Sequence, residues 1–254
     1  MDEKWAKRLK IKRISKYVLI FCLAFLVILA AFTLYGEKVG NFVVVLKEDK
    51  VKISACLTKD FEKDQSTYLT IPGVEHLQAT TYQYIPDTLA SGVGIKHEER
   101  GKYMAFSFYL INRTDSAIAY DIKVELTDEK AGTGNKTHKP SDALRVLILE
   151  ESELNEELEA NKSLKADGTV FARKEESQQA IDELAPANYP EGKVVNFVDE
   201  GKTIIKQQGI SFEANGIKKY TVVLWIEGFD ISCKDELLGS RLKMKMSIDA
   251  YESK

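Results

Sequence analysis

The sequence predicts a mainly β protein: an antiparallel β-sandwich with one or two short helices, preceded by a single transmembrane helix. The first observation is a run of 19 uncharged and largely apolar residues at 17–35. The second is a series of later segments in which apolar and polar side chains alternate, which is the period of a strand with one buried face. Alternating strand and helix units, which would indicate a doubly wound sheet, are absent from the sequence.

The run from Tyr17 to Tyr35 is expected to cross a membrane as a helix. At 1.5 Å per residue its length is about 28 Å, close to the thickness of a bilayer's hydrocarbon core. A tyrosine stands at each end, where amphipathic rings prefer the membrane–water interface. A cleaved signal peptide is the alternative, but the run is longer than the apolar region of a signal peptide, and Leu29-Ala30-Ala31 matches a cleavage site poorly.

The charges that flank this run predict its orientation. The sixteen residues before it hold seven Lys or Arg, and the sixteen after it hold three. The positive-inside bias therefore places a basic tail, 1–16, in the cytoplasm and the domain 36–254 outside the cell, with the lipid bilayer as the partner of 17–35. Beyond residue 16 the chain has a formal charge of −8, since the tail holds seven of the 36 basic and two of the 39 acidic residues. An acidic outer domain is not expected to bind nucleic acid.

Alternation predicts strands along most of the outer domain. The segment 103–112 places Met104, Phe106, Phe108 and Leu110 on one face, and 118–127 follows it after a polar cluster, so the two are predicted to form a hairpin. Further strands are expected at 42–46, 51–57, 143–149, 202–212, 219–227 and 241–250. Polar connectors between them are typical of a sandwich.

Two short helices and one irregular stretch complete the predicted outer domain. Ser232 and Asp235 have the spacing of a capping box, and Gly239 would end that helix. A second helix is expected at 175–184, before Pro186. The stretch 150–201 is polar and is predicted to be an irregular insertion.

Two cysteines, Cys56 and Cys233, lie in the outer domain, where a disulfide could persist. If paired, they would close nearly the whole domain; the alternative is two separate thiols, which sequence cannot distinguish because pairing depends on geometry. Trp225 and Glu227 lie in the most distinctive segment, 221–228. Its apolar residues on both faces favour a central core strand, and a recognition edge is the other interpretation.

Three near-matches to chemical motifs do not predict a site. Six carboxylates at 150–159 lack the glycine that a calcium loop needs, and they suit a solvated face. Residues 132–137 resemble a phosphate loop, but Asn135 stands where that loop has glycine. His97 is followed by Glu98 but by no second histidine four positions later, so it is not a zinc-protease signature. The sequence thus names no catalytic residue, no cofactor and no metal ligand.

Four stretches in order carry a family resemblance. They are Val39-Gly40-Asn41-Phe42, the segment from Phe106 to Asn112, the segment 222–228 and the segment from Cys233 to Gly239. Together with the basic tail and the anchor, they resemble a group of uncharacterised membrane-anchored surface proteins of Gram-positive bacteria. The layout is more distantly similar to camelysin/TasA-like biofilm-matrix proteins, which implies a jelly-roll-like sandwich and assembly into fibres by strand donation. This sequence departs from those relatives in two ways. They have a cleaved signal peptide in place of the expected anchor, and some of them are labelled metalloproteases, whereas no zinc motif is visible in this sequence.

These expectations favour a non-catalytic surface or envelope-associated binding module, displayed by the anchor, with surface proteins or cell-wall polymer as partners. An extracellular enzyme or accessory hydrolase acting on the envelope is the first alternative, and a structural subunit of a matrix or fibre is the second. A deep pocket lined by acids would favour the enzyme, whereas an exposed sheet edge would favour assembly.

Overall fold

A computed structural model describes residues 16–18, 20–23, 25–26, 42–47, 51–58, 60, 64–74, 77–92, 94–97, 101–132, 138–151, 163, 167–173, 194–199 and 201–252. The chain divides into two compact units, Met1–Val39 and Gly40–Lys254. In the first unit the described residues are helical and exposed. The described part of the chain contains no helix with the length and apolar character that a membrane crossing requires. The predicted tail, apart from Lys16, and much of the predicted span lie outside the described residues.

Twelve strands and three 3-10 turns make up the described part of the second unit. The strands are β1 (Phe42–Lys47), β2 (Ile53–Cys56), β3 (Tyr68–Ile71), β4 (Gly94–His97), β5 (Met104–Asn112), β6 (Ile118–Lys130), β7 (Leu144–Glu151), β8 (Thr169–Ala172), β9 (Val194–Asn196), β10 (Thr203–Phe212), β11 (Ile217–Ile226) and β12 (Arg241–Glu252). The turns are η1 (Tyr82–Tyr84), η2 (Asp87–Leu89) and η3 (Asp235–Leu237). The prediction of a mainly β domain is therefore confirmed.

The strands form two sheets. Sheet A has the order β10-β6-β12-β1-β3, and sheet B has the order β2-β5-β11-β7-β8-β9, with β4 beside the first half of β5. The pairs β1–β12 and β8–β9 are parallel, whereas the other pairs are antiparallel. Each of the strands predicted from alternation is present, with boundaries within a few residues of those expected.

The main core lies between the inner faces of the two sheets. Alternate residues of β5, β11 and β7 point inward from sheet B, and those of β1, β6 and β12 point inward from sheet A. Phe42 of β1 meets Phe106 of β5 with ring centroids 4.8 Å apart, so the sheets pack through direct aromatic contact. The alternation in the sequence reflects this arrangement, since each buried side chain is flanked by neighbours that point away from the core.

A second apolar layer covers the outer face of sheet B. The segment 77–92, which contains η1 and η2, places Tyr82, Ile85 and Leu89 over β7 and β11. Trp225 of β11 lies in this layer with none of its surface exposed. Both faces of β11 are therefore buried, and this explains why its apolar residues do not alternate.

The predicted β5–β6 hairpin is wrong, because β5 belongs to sheet B and β6 to sheet A. The five residues between these strands cross the roughly 10 Å that separates packed sheets. Buried Asn112 holds this crossing. Its Nδ2 donates to the carbonyls of Ser116 (3.0 Å) and Glu213 (2.7 Å), and its Oδ1 accepts from the backbone and hydroxyl of Thr114. Asn112 thereby ties the crossing to the turn between β10 and β11, which also joins the two sheets.

Two further expectations need correction. The predicted capped helix at 232–239 is only the 3-10 turn η3, which begins after Lys234 and has no side-chain cap. Gly239 does end the turn, with a φ of 75° that suits glycine. The stretch 150–201 is not wholly irregular, because it contains β8 and β9. The predicted helix at 175–184 lies outside the described residues.

Candidate functional site: a cleft between the sheets

A cleft of about 160 Å³ enters the sandwich where β8 of sheet B faces β10 of sheet A. Its apolar part is formed by Ile122, Ile148, Phe171, Ile205 and Met246. Its polar part is formed by Glu150, Asp167, Thr169, Gln207 and Tyr220. Asp167 and Gln207 are exposed and mark the mouth, whereas Tyr220 is buried.

The strands position the polar groups through their alternation. Leu144, Val146 and Ile148 of β7 point into the core, so Glu150 is the next inward residue of that strand and carries a carboxylate into the interior. On β11, Lys218 and Tyr220 precede the inward residue Val222 in the same way. The register places Tyr220 directly beside Glu150.

Lys218 and Glu150 form a half-buried ion pair, with 2.7 Å between Nζ and Oε1. The ammonium of Lys218 also lies over the rings of Tyr120 and Phe212, at 5.2 and 5.8 Å from their centroids. Such contacts stabilise a partly desolvated cation. The negative charge of Glu150 is thus balanced within the protein by the positive charge of Lys218.

The hydroxyls of Tyr120 and Tyr220 form a buried hydrogen bond with each other across the two sheets. Burial, and then the charge of Glu150, raises the pKa of Tyr120. Burial, together with Tyr120 and Glu150, raises the pKa of Tyr220 well above its ordinary value. Both hydroxyls therefore remain protonated at neutral pH. The cleft offers hydrogen-bond donors and acceptors around an apolar pocket, and this arrangement suits binding.

A second group of polar side chains is buried on the outer face of sheet B. Arg145 and Asp230 form an ion pair at 2.7 Å with neither side chain exposed. The Nζ of Lys219 lies 3.1 Å from Oε2 of Glu151 and donates a hydrogen bond to the carbonyl oxygen of Ala90 at 2.7 Å. Because Ala90 belongs to the covering segment, Lys219 holds that segment to the sheet.

Trp225 and Glu227, the residues that sequence singled out, belong to this outer layer. The indole N–H of Trp225 donates to Glu227 Oε2 at 3.0 Å, and the backbone N–H of Phe229 donates to Oε1 at 3.3 Å. Tyr82 packs against Trp225 with ring centroids 6.2 Å apart, and its backbone N–H donates to Glu227. The structure places Trp225 in a buried central strand, which is the position expected of a core residue.

Cys56 and Cys233 are free thiols, so the disulfide that the sequence allowed is not formed. Cys56 lies on β2, in register with Tyr109 and through it with Lys219 near the start of β11. Cys233 follows the end of β11 and has its N–H bonded to Asp230. Along β11, the position level with Cys56 and the end of the strand nearest Cys233 are about six residues, or roughly 20 Å, apart. A disulfide requires the two Cα atoms to lie within about 7 Å of each other. Burial raises the pKa of both thiols.

The other sequence candidates do not converge. His97 lies on β4 and His138 has its Nε2 3.5 Å from Lys234 Nζ, whereas His76 lies outside the described residues. Most of the acidic run 150–159 and residues 133–137 also lie outside them. Among the residues that the structure describes, no three His, Cys, Asp or Glu side chains are grouped so that they could hold a metal ion.

Sequence reasoning missed the cleft, although one signal pointed to it. Tyr220 lies inside the predicted strand 219–227, whereas Lys218 and Glu150 lie one residue beyond the predicted strands 219–227 and 143–149. All three take inward positions when the alternation of those strands is continued. A charged residue at an inward position predicts either an ion pair or a site.

A scan against models of protein families gives no match to the chain, and a search of curated proteins likewise gives none.

Proposed function

We propose that this protein is a membrane-anchored surface protein whose outer domain is a non-catalytic binding module, with the cleft between the sheets as its site. The placement rests on the sequence: the apolar run 17–35, its basic flank and the acidic domain that follows. The chain is then a single-pass cell-membrane protein with residues 1–16 in the cytoplasm. Surface proteins or cell-wall polymer would be its partners.

The cleft is the observation that carries this proposal. A cavity of about 150 Å³ is large enough for a benzene molecule, so this one accepts a small ring or the end of a larger chain. Most ligand pockets are larger, roughly 300–1,000 Å³. The fitting ligand is therefore one terminal group of a polymer or of a partner's side chain, with an apolar body and a polar end that reaches Tyr220 or Gln207.

The two alternative functions have weaker support. An enzyme that uses paired carboxylates needs two of them facing the same substrate. Of the two in the cleft lining, Glu150 forms an ion pair with Lys218 inside and Asp167 is exposed at the mouth. A fibre subunit needs a long, regular open edge. Strand β10 at one edge of sheet A has two register shifts against β6, and the other edge strands described, β2, β3, β4 and β9, have only three or four residues. The jelly-roll-like arrangement is a proposal that rests on the resemblance alone, and the parallel pairs β1–β12 and β8–β9 count against it because that fold is antiparallel.

Nuclear magnetic resonance titration of the purified protein tests the site, with benzylamine and benzyl alcohol as probes. Chemical-shift changes should concentrate on Ile148, Phe171 and Ile205. Ile148→Phe should fill the cleft and abolish these changes. Ile95→Phe is the matched control, because Ile95 is an exposed isoleucine of the same sheet on β4. Shifts spread evenly over the surface, or equal binding by both variants, would reject the cleft as the site.

Protease treatment of intact cells tests the placement. A protease added outside should remove the domain 36–254 and spare a tag fused at Met1. If the tag is lost while the domain is retained, the orientation is reversed. Protection of both would show that the domain is not displayed.

A further inference from the structure

The loop between β11 and β12, residues 227–240, lies at the end of the sandwich where β1 begins. Strand β1 runs parallel to β12, with Phe42 in register with Met244. Arg241, the first residue of β12, follows the loop directly. The first residue of the folded sheet and this loop therefore share one end of the domain.

Three large apolar side chains of this loop point into solvent. The exposed fractions are 39% for Phe229, 47% for Ile231 and 68% for Leu238. Single exposed apolar residues are common, whereas several large ones on one loop, here called the apolar patch, are a feature of surfaces that contact a protein or a membrane.

Buried contacts hold the first half of the loop in place. Asp230 lies between Phe229 and Ile231, and its carboxylate is fully buried against Arg145. The same carboxylate accepts the backbone N–H of Ser232 at 2.8 Å, and the carbonyl of Asp230 accepts the N–H of Cys233 at 2.9 Å. The apolar side chains on either side of Asp230 are thus directed outward by a rigid support.

A close backbone approach holds the second half. A Cβ atom on Gly132 would lie 2.2 Å from the carbonyl oxygen of Glu236 and 2.4 Å from that of Leu238. Only glycine permits such an approach. Leu238 is therefore exposed by a fixed turn.

We infer that Phe229, Ile231 and Leu238 dock into the interfacial layer of the membrane that holds this protein's own anchor. The inference rests on the proposed anchor at 17–35. Six residues, 36–41, separate that span from Phe42, and fully extended they reach only about 20 Å. The end of the domain at which β1 begins is therefore kept close to the bilayer, and the apolar patch lies at that end.

The character of the patch indicates how it binds lipid. Lys234 and Asp235 are the exposed charged residues of the loop and Glu236 is half-buried, so the three sum to one negative charge. Attraction to anionic headgroups is therefore not the driving force. Apolar side chains that enter the boundary between headgroups and acyl chains are stabilised by burial, and this interaction is insensitive to salt.

Fluorescence quenching in the full chain tests the inference. Cys22→Ala and Cys233→Ser first remove the other reactive thiols, and Cys56 is buried and does not compete for the dye. In this background an environment-sensitive dye is attached at one new cysteine at a time: Ile231→Cys, Leu238→Cys or the control Tyr251→Cys. The protein is reconstituted in phosphatidylcholine vesicles that contain lipids with nitroxide headgroups. Position 251 is the control because it lies ten residues along β12 from Arg241, about 33 Å away. Dyes at 231 and 238 should be quenched several-fold more than the dye at 251, at low and at high salt.

Each other outcome overturns one identified step. If the chain fails to float with the vesicles or is extracted by alkali, the anchor itself is rejected. If it is inserted and positions 231, 238 and 251 are quenched equally, only the docking is rejected. Cross-linking between the 231 positions of two copies without quenching would show that a second chain covers the patch. Quenching lost at high salt would show electrostatic attachment. Leu238→Asp should reduce quenching at 231, whereas Tyr251→Asp should not.

Discussion

Trp225→Ala should destabilise the outer domain severely. The side chain is fully buried against Tyr82, and its indole N–H satisfies the buried carboxylate of Glu227 at 3.0 Å. Deleting a large buried aromatic side chain costs about 3–5 kcal/mol. In a unit of about this size each kcal/mol lowers Tm by about 2–4 °C, so the expected loss is roughly 6–20 °C.

Two control variants separate the contributions of Trp225. Trp225→Phe retains most of the ring but removes the indole donor to Glu227, which keeps the N–H groups of Phe229 and Tyr82. The loss of one hydrogen bond to a charged group costs about 1.5–3 kcal/mol. Tyr68→Ala removes an aromatic side chain that is 55% exposed and should change stability by no more than about 0.5 kcal/mol. Thermal unfolding followed by far-ultraviolet circular dichroism orders the three variants. A Trp225→Ala protein that melts at the wild-type temperature would refute the core role and restore this tract as a recognition surface.

Three further perturbations test the packing around the same end of the domain. Arg145→Met and Asp230→Leu should each lower the free energy of unfolding, measured in urea, by about 3–5 kcal/mol. The double variant should recover much of this loss because it leaves no buried charge unpaired, and additive losses would contradict this reasoning. Gly132→Ala should cost about 1–3 kcal/mol by displacing the 227–240 loop, whereas Gly201→Ala meets only ordinary contacts and should be neutral; equal stabilities would contradict the close approach. Burial raises the pKa of Tyr82 to about 12, so its contribution is complete below the unfolded pKa of about 10 and is lost as pH rises toward 12. Urea midpoints measured from pH 9 to 12 should therefore fall less steeply for Tyr82→Phe than for wild type, and parallel curves would oppose the assignment.

The strands themselves were predictable because their pattern is local. In β12 the apolar residues Met244, Met246 and Ile248 alternate with polar neighbours, and the structure buries these three side chains in the core. Strands such as β3, β8 and β9 were missed because they have only three or four residues, too few for an alternating pattern to stand out. The turn η3 replaced the expected helix because a capping pattern needs an apolar helical face to stabilise it, and Leu238 is exposed here.

The β5–β6 connection shows where local reasoning fails. A polar connector of five residues serves equally well for a hairpin or for a crossing between sheets, since in both cases the inward residues of the two strands reach the core. The bond from Asn112 to the carbonyl of Glu213 joins residues 101 positions apart, and no pattern near Asn112 predicts it.

By itself the sequence determined which side chains point inward along each long strand, the uncharged run 17–35 and the buried character of the Trp225 strand. These properties depend on neighbours along the chain, because a strand turns successive side chains to opposite faces. Only the tertiary structure decided which strands pair, which sheet each joins and where the cleft opens. The contacts that build the cleft join Lys218 to Glu150 and Tyr120 to Tyr220, across 68 and 100 residues. Contacts between residues so distant in sequence depend on the packing of the whole domain, and local periodicity does not encode them.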